Sequence, residues 1–282
     1  MAAKIGLMTF ATEDSLDFVE LARRAETLGF ESLWVPEHPV IPVGFTTPFP
    51  GKGPLPEYYK HMPDPFIALA AAAGATRTLR LGTAISLVPE HDPKVLAKQV
   101  ATLDLMSHGR FHFGIGAGWL REESEVMGVE FKRRWSQTRE HVLAMKALWT
   151  QDEAAFDGTY VKFPPLWSWP KPVQKPHPPI LIGGELDKAA ERIAEYGDGW
   201  LPRYIATDPA GIAAGRKRIA ALYRERGRDP DTLDITLFGC KTDRAVMRRF
   251  EQAGVTRILF VLLPEQPEET LRRIEEVAGK AL

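Results

Sequence analysis

The chain has 282 residues, 44% hydrophobic and 26% charged, which suits one large domain or two small ones with a sizeable core. Its 36 lysines and arginines nearly balance 37 aspartates and glutamates, so a net charge of -1 gives no electrostatic case for binding nucleic acid or an anionic membrane. The single cysteine, Cys240, excludes an internal disulfide and a cysteine-built zinc site, and it favours a reducing compartment.

The N-terminal MAAKIGLMTF runs directly into a strand-like segment, without a basic-then-apolar leader, and no apolar run reaches bilayer length. The expectation is a soluble, cytoplasmic protein. Along the chain, short apolar runs alternate with longer amphipathic ones. KIGLMTF (4–10) predicts a strand. SLDFVELARRAETLGF (15–30) has apolar residues at helical spacing, with Ser15 as its expected cap and Gly29 at its end. SLWVPEH (32–38) is the second strand, and a proline-rich loop follows over 39–63. DPFIALAAAAGA (64–75) predicts a small-residue helix, LRLGTAISLVP (79–89) a strand, and DPKVLAKQVATLDLMSHG (92–109) a helix ending at Gly109. FHFGIGAGW (111–119) is the fourth strand. A helix over about 136–150 precedes an irregular stretch, 151–178, where Asp157-Gly158 between β-prone residues predicts a hairpin. PPILIGG (178–184), GWLPR (199–203), LDITLFG (233–239) and VTRILFVLLP (255–264) are the later strands, followed by helices over 186–197, 208–227, 242–253 and 267–281.

Eight strands each followed by a helix, with apolar runs that require burial on both faces, fit a (β/α)8 TIM barrel in one domain spanning 1–282. A doubly wound open sheet also alternates but usually uses fewer units at this length. The insertion 39–63 follows a strand, so it is expected at the carboxyl end of the barrel as a lid or substrate wall. The insertion 151–178 follows a helix and is expected on the opposite face, as a plug or subunit contact.

RFHFGIGAGW places Gly114, Gly116 and Gly118 at alternate positions. A dinucleotide fingerprint needs G-x-G-x-x-G on the first βα turn, and that turn, FATEDS, has no glycine. Relief of crowding inside a barrel accounts for Gly114. Three glycines ending at Trp119 point to something flat approaching the main chain at the strand's end.

TLDLMSHGRFHFGIGAGW (102–119) resembles the signature of the bacterial luciferase-like superfamily of flavin and deazaflavin oxidoreductases. GTAISLVPEHDPKVLAKQ (82–99), WVPEH (34–38), ILIGG (180–184) and GDGWLP (197–202) match other parts of it in the right order. GAGW followed by REE, with PKPVQKPHPP and DGW, is most similar to members that use the deazaflavin coenzyme F420; FMN enzymes share most of these motifs. The resemblance implies the same barrel, usually as a homodimer, and the small-residue helix 64–75 suits that contact. It also implies a non-prolyl cis peptide at Ala84–Ile85, where Ala84, Ile85 and Ser86 support the back of the ring. Gly116 and Ala117 match cofactor-binding positions.

His38 matches a histidine near the reactive face of the ring. On composition alone a histidine here is a hydrogen-bonded structural group; its strand-end position and the match make it the expected proton-transfer residue. Glu37 beside it is expected to orient it or bind substrate. Gly183, Gly184, Glu185 and Leu186, at a strand-to-helix turn, form the expected phosphate site, with Glu185 a poor neighbour for an anion unless it points away. Arg203 is expected to meet an anionic substrate or cofactor tail, and Lys241 is read as surface. His91 is a possible tail contact, while His108 and His112 belong near the lower rim.

Two departures bear on chemistry. Luciferase-type FMN members often bind phosphate with an arginine where this chain has Ala117, which favours the deazaflavin. Alcohol and sugar-phosphate dehydrogenases of the F420 branch carry a glutamate where this chain has Trp119 and a tryptophan where it has Pro42, so Trp119 is expected as an apolar wall at the substrate. The expected function is hydride exchange between F420 and a small organic molecule, with an FMN monooxygenase or a non-catalytic barrel as alternatives. No H-x-H or H-x-x-x-H pattern stands at a strand end, so no metal site is expected.

Overall fold

The protein is described by a computed structural model covering residues 2–51 and 53–282. Its strands are β1 (Lys4–Thr9), β2 (Ser32–Val35), β3 (Arg80–Thr83), β4 (Ser86–Leu87), β5 (Phe111–Gly116), β6 (Glu153–Asp157), β7 (Lys162–Trp167), β8 (Ile180–Gly183), β9 (Gly199–Leu201), β10 (Asp234–Phe238) and β11 (Arg257–Leu262). The helices are α1 (Phe18–Leu28), α2 (Pro65–Ala75), α3 (Pro93–Met106), α4 (Arg121–Val126), α5 (Arg134–Thr150), α6 (Leu186–Tyr196), α7 (Pro209–Glu225), α8 (Arg244–Gln252) and α9 (Pro267–Ala281).

The sheet runs β3-β2-β1-β11-β10-β9-β8-β5, and β5 pairs back onto β3, with β4 continuing the line of β3. Every one of these pairings is parallel. This is the closed (β/α)8 barrel that the alternation of apolar runs predicted. All six residues of β5 and all four of β8 are buried, as strands between a filled lumen and a helical coat must be.

Local chemistry sets the helix starts. Asp17, Asp64, Asp92, Asp208 and Asp243 each accept a first-turn backbone N–H, and proline follows directly at Pro65, Pro93 and Pro209. The cap of α1 is therefore Asp17 rather than Ser15, whose Oγ instead accepts the Thr12 N–H at 3.0 Å. Gly29 closes α1 in the left-handed region at φ 92°.

The lumen has a charged floor and an apolar top. At the amino ends of the strands, Arg257 is bonded to Glu31 (2.8 and 3.0 Å), Asp234 (2.8 Å) and Thr236 (2.8 Å). His112 stands beside this cluster; burial, then the positive charge of Arg257, hold its ring below its ordinary range. Higher up, Met8, Trp34, Ala84, Leu181, Leu201 and Leu259 pack together, with Phe10, Ile85, Phe238 and Val261 half-buried above them.

Gly114 relieves crowding as expected, and Gly116 has the same use rather than the one expected of it. A Cβ on Gly114 would lie 2.0 Å from the Thr83 carbonyl oxygen, and one on Gly116 would lie 2.1 Å from Ile85 Cδ1. They leave room for the end of β3, not for a ligand. Gly114→Ala is expected to destabilise the fold by about 1–3 kcal/mol, because its new neighbour is main chain that cannot rotate away. A thermal melt of that variant matching the parent would contradict this.

In the stretch 151–178, β6 and β7 form the predicted antiparallel hairpin, with Asp157 paired to Lys162 across a four-residue connection, 158–161. Glu140 on α5 accepts N–H bonds from Thr159 (3.0 Å), Tyr160 and Val161 (2.5 Å). Pro164 and Pro165 lie in β7 opposite an irregular register between Ala154 and Phe156. Beyond the hairpin the chain returns to the lower rim, where Gln174 Nε2 donates to Asp104 and to the Phe111 carbonyl, both at 2.7 Å.

Candidate active site

The carboxyl ends of the strands form a mouth built from β2, β3, β5 and the long loop 39–63. Strand β3 stops at Thr83, the Ala84–Ile85 peptide is cis, and pairing resumes at Ser86. Ile85 thereby fills the space at Gly116 and lies against Gly183, where an added Cβ would meet Ile85 Cγ2 at 3.1 Å.

His38 follows β2. Its Nδ1 is 2.7 Å from Glu123 Oε2, and its Nε2 accepts the Trp119 Nε1–H at 3.2 Å. Trp119 donates only, so Nε2 must be the unprotonated nitrogen, and the proton on Nδ1 is given to Glu123. The side chain of Glu123 has no exposed surface.

Glu37 departs from its expected role as a substrate ligand. It is buried, accepting Ser86 Oγ–H at 2.7 Å and Leu87 N–H at 2.6 Å on one oxygen, with His91 Nε2 at 2.8 Å from the other. Buried and engaged at both oxygens, this carboxylate ties the end of β2 to β4. Ser86 and His91 take part in the same bracing.

The loop 39–63 lays an aromatic wall beside the mouth. Phe10 stands 5.0 Å from Tyr58 and 5.5 Å from Tyr59, ring centre to ring centre. Tyr59 meets His38 at 5.3 Å and Phe49 at 5.3 Å, and Phe49 meets Trp119 at 5.6 Å. Burial pushes the Tyr59 phenol up, so it stays protonated. Glu122 anchors the loop by accepting Thr46 N–H (2.7 Å), Thr46 Oγ1–H (2.9 Å) and Thr47 N–H (3.1 Å). Those bonds hold its carboxyl down at about 2.

Across the mouth, Gly184 has φ 124°, and a Cβ there would touch nothing within 4 Å. Glu185 is the N-cap of α6 but makes no side-chain cap bond, so its carboxylate leaves the first-turn N–H groups at Leu186 and Asp187 uncapped. Ala117 is buried and brings no charge. Arg203, at the end of β9, bridges to Phe238, and among the described residues no carboxylate lies within ion-pair distance of it.

The structure thus brings His38 and Trp119 together, sets Ile85 on the floor, and places Gly184, Glu185, Leu186 and Arg203 around the rim. Sequence reading missed Glu123, Tyr58, Tyr59, Phe49 and Phe10. The REE after GAGW held the signal for Glu123: two adjacent glutamates on a helix point to different faces, one to the loop and one to His38.

Among the described residues, no group of three or more His, Cys, Asp or Glu side chains is placed to hold a metal ion, and no helix is long and apolar enough to cross a membrane. The site is thus the mouth of a closed parallel barrel, with His38 beside an apolar floor. The chain belongs to the family described as luciferase-like monooxygenase, matched over residues 3–251.

Over 281 residues the chain is 39% identical to an uncharacterized protein of Mycobacterium tuberculosis, covering 98% of this chain and 97% of that one. It is 32% identical over 190 residues to the F420-dependent glucose-6-phosphate dehydrogenase of Amycolatopsis mediterranei, covering 66% of this chain and 52% of the relative. Among solved structures, the monooxygenase RslO1 from Streptomyces bottropensis shares the fold with a TM-score of 0.79 at 23% identity, covering 99% of this chain and 98% of that one.

Proposed function

We propose that the chain is a two-electron oxidoreductase that exchanges a hydride between the deazaflavin coenzyme F420 and a small organic substrate at the barrel mouth. The observation that carries this reading is the pairing of an apolar shelf with a single tautomer-fixed histidine. Phe10, Ile85, Phe238 and Val261 offer a half-buried floor for a flat ring, and His38 stands beside it. The open backbone at Gly184 and the start of α6 suit an anionic tail, and Arg203 supplies a free positive charge on the same rim. These residues fit the group.

Bound there, the coenzyme supplies the hydride chemistry. The chain's own part is to keep the floor dry, to bind the tail, and to move a proton at His38 Nε2. In the structure that nitrogen is covered by the Trp119 N–H, so a substrate hydroxyl that displaces the indole reaches the basic atom directly. Ala117 favours F420 over FMN, since the resemblance puts a phosphate-binding arginine of FMN members at that position, and the dehydrogenase relative carries F420 in its name.

Titrating the full chain separately with F420 and FMN, read by coenzyme fluorescence, is expected to show saturable binding of F420 alone. Tight FMN binding without F420 binding would overturn the coenzyme assignment, and binding of neither would favour a non-catalytic barrel. The single, buried Cys240 fits work in the reducing cytoplasm. The proposed assembly is a homodimer through α2 and its neighbour α3, which expose Ile67 (73%) and Val95 (56%).

A further inference from the structure

Behind His38 lies a set of carboxyl groups that hydride exchange at the mouth does not use. Glu123 gives Oε2 to His38 and keeps Oε1 buried with no hydrogen-bond donor. Glu90, in the short turn Val88–Glu90 that follows β4, accepts Ser124 Oγ–H on Oε1 at 2.9 Å and keeps Oε2 buried with no donor. Ser124 is the residue after Glu123, so α4 brings the two carboxyl groups together. Two adjacent buried anions, each with an orphaned oxygen, are a costly arrangement that one proton resolves.

We infer that Glu90 and Glu123 form a one-proton carboxyl pair that sets the protonation state of His38. Glu123 carries the single negative charge facing His38 Nδ1–H, and Glu90 holds the proton that keeps this charge from doubling. With Nδ1–H fixed, Nε2 is left as the proton-accepting atom toward the mouth. Both glutamates are positioning residues.

Burial, then the charges of Glu123 and Glu37, push the Glu90 carboxyl up to about 8, while the Ser124 bond pulls it down. The other ionisable groups around the pair are engaged elsewhere. Glu37 is bonded to His91, His141 on α5 has Nδ1 3.2 Å from the Val88 carbonyl oxygen, and Arg134 Nε donates to the Gly118 carbonyl at 3.1 Å. Above the Glu90 transition, a second negative charge appears behind His38, where the ring's signals report it.

As a statement about catalysis this rests on the proposed reaction, but its test does not. The full chain, labelled with nitrogen-15 histidine and free of coenzyme, is titrated by NMR from neutral to alkaline pH, with the His38 signal assigned by its loss in His38→Gln. The expected result is a neutral Nδ1–H tautomer for His38 and a shift of its signals near pH 8. Glu90→Gln removes that shift and keeps the tautomer, and Ser124→Ala moves it to higher pH. A flat His38 response through this range in the parent protein, or an unchanged step in Glu90→Gln, overturns the pair. Should neither coenzyme bind, the reaction fails while these titrations still decide the pair.

Discussion

Arg257→Ala is expected to lower the free energy of unfolding by about 3–5 kcal/mol, the range for removing one partner from a buried ion network. The Arg257 side chain is 1% exposed and sits at the barrel floor, with five-donor geometry matched to Glu31, Asp234 and Thr236, and its guanidinium carbon lies 5.5 Å from the Trp34 ring centre. Without it, Asp234 loses its ion-pair partner, and Glu31 keeps only its longer contacts to Lys4 (3.9 Å) and Arg80 (3.6 Å). Arg257→Lys is expected to recover only part of the loss, because an ammonium cannot bridge both carboxylates in the fixed planar pattern.

The pH dependence follows from Asp234. Burial by itself raises its carboxyl, but the charge of Arg257, with help from His112 and the hydroxyls of Thr236 and Thr256, offsets this and holds it below its ordinary value. A carboxyl depressed in the folded state adds stability above its unfolded pKa, and that stability is lost as pH falls through the acid range. The parent protein is therefore expected to weaken on acidification more steeply than Arg257→Ala. Urea unfolding of both proteins at neutral and acid pH checks the size and the sign; equal stability at neutral pH would contradict the assignment.

If the proposed reaction holds, His38→Ala is expected to lower kcat by about 10²–10⁴, the usual contribution of a positioned acid–base group, with affinity for the proposed coenzyme nearly unchanged. The residue carries one basic nitrogen, under the Trp119 N–H, and takes no part in the apolar floor or the proposed tail site. Added imidazole should restore part of the rate, since the small molecule fits the space vacated between Trp119 and Glu123. A variant turning over at the parent rate would remove His38 from the reaction.

The barrel was readable because its strands are apolar runs at near-regular spacing, and Asp-Pro pairs mark the starts of α2, α3 and α7. The mouth was readable in part. His38 stood out by its strand-end position, but Glu37 beside it faces inward, and one residue's difference along an extended chain reverses a side chain. The glycines were visible as a pattern, yet their use depends on Thr83 and Ile85, which approach only after the barrel closes. Glu90, Glu123 and the wall of Phe10, Phe49, Tyr58 and Tyr59 come from separate stretches of the chain. No local periodicity predicts such meetings.

The adjacent prolines of the β6–β7 hairpin bear on how the molecule behaves in a crowded solution. A closed barrel has no free border, but a two-stranded ribbon on its flank has two. Pro164 and Pro165 carry no main-chain N–H, so β7 lacks one donor on each side, next to the displaced register. The ribbon is thereby a poorer template for a strand from a neighbouring molecule than an unbroken one.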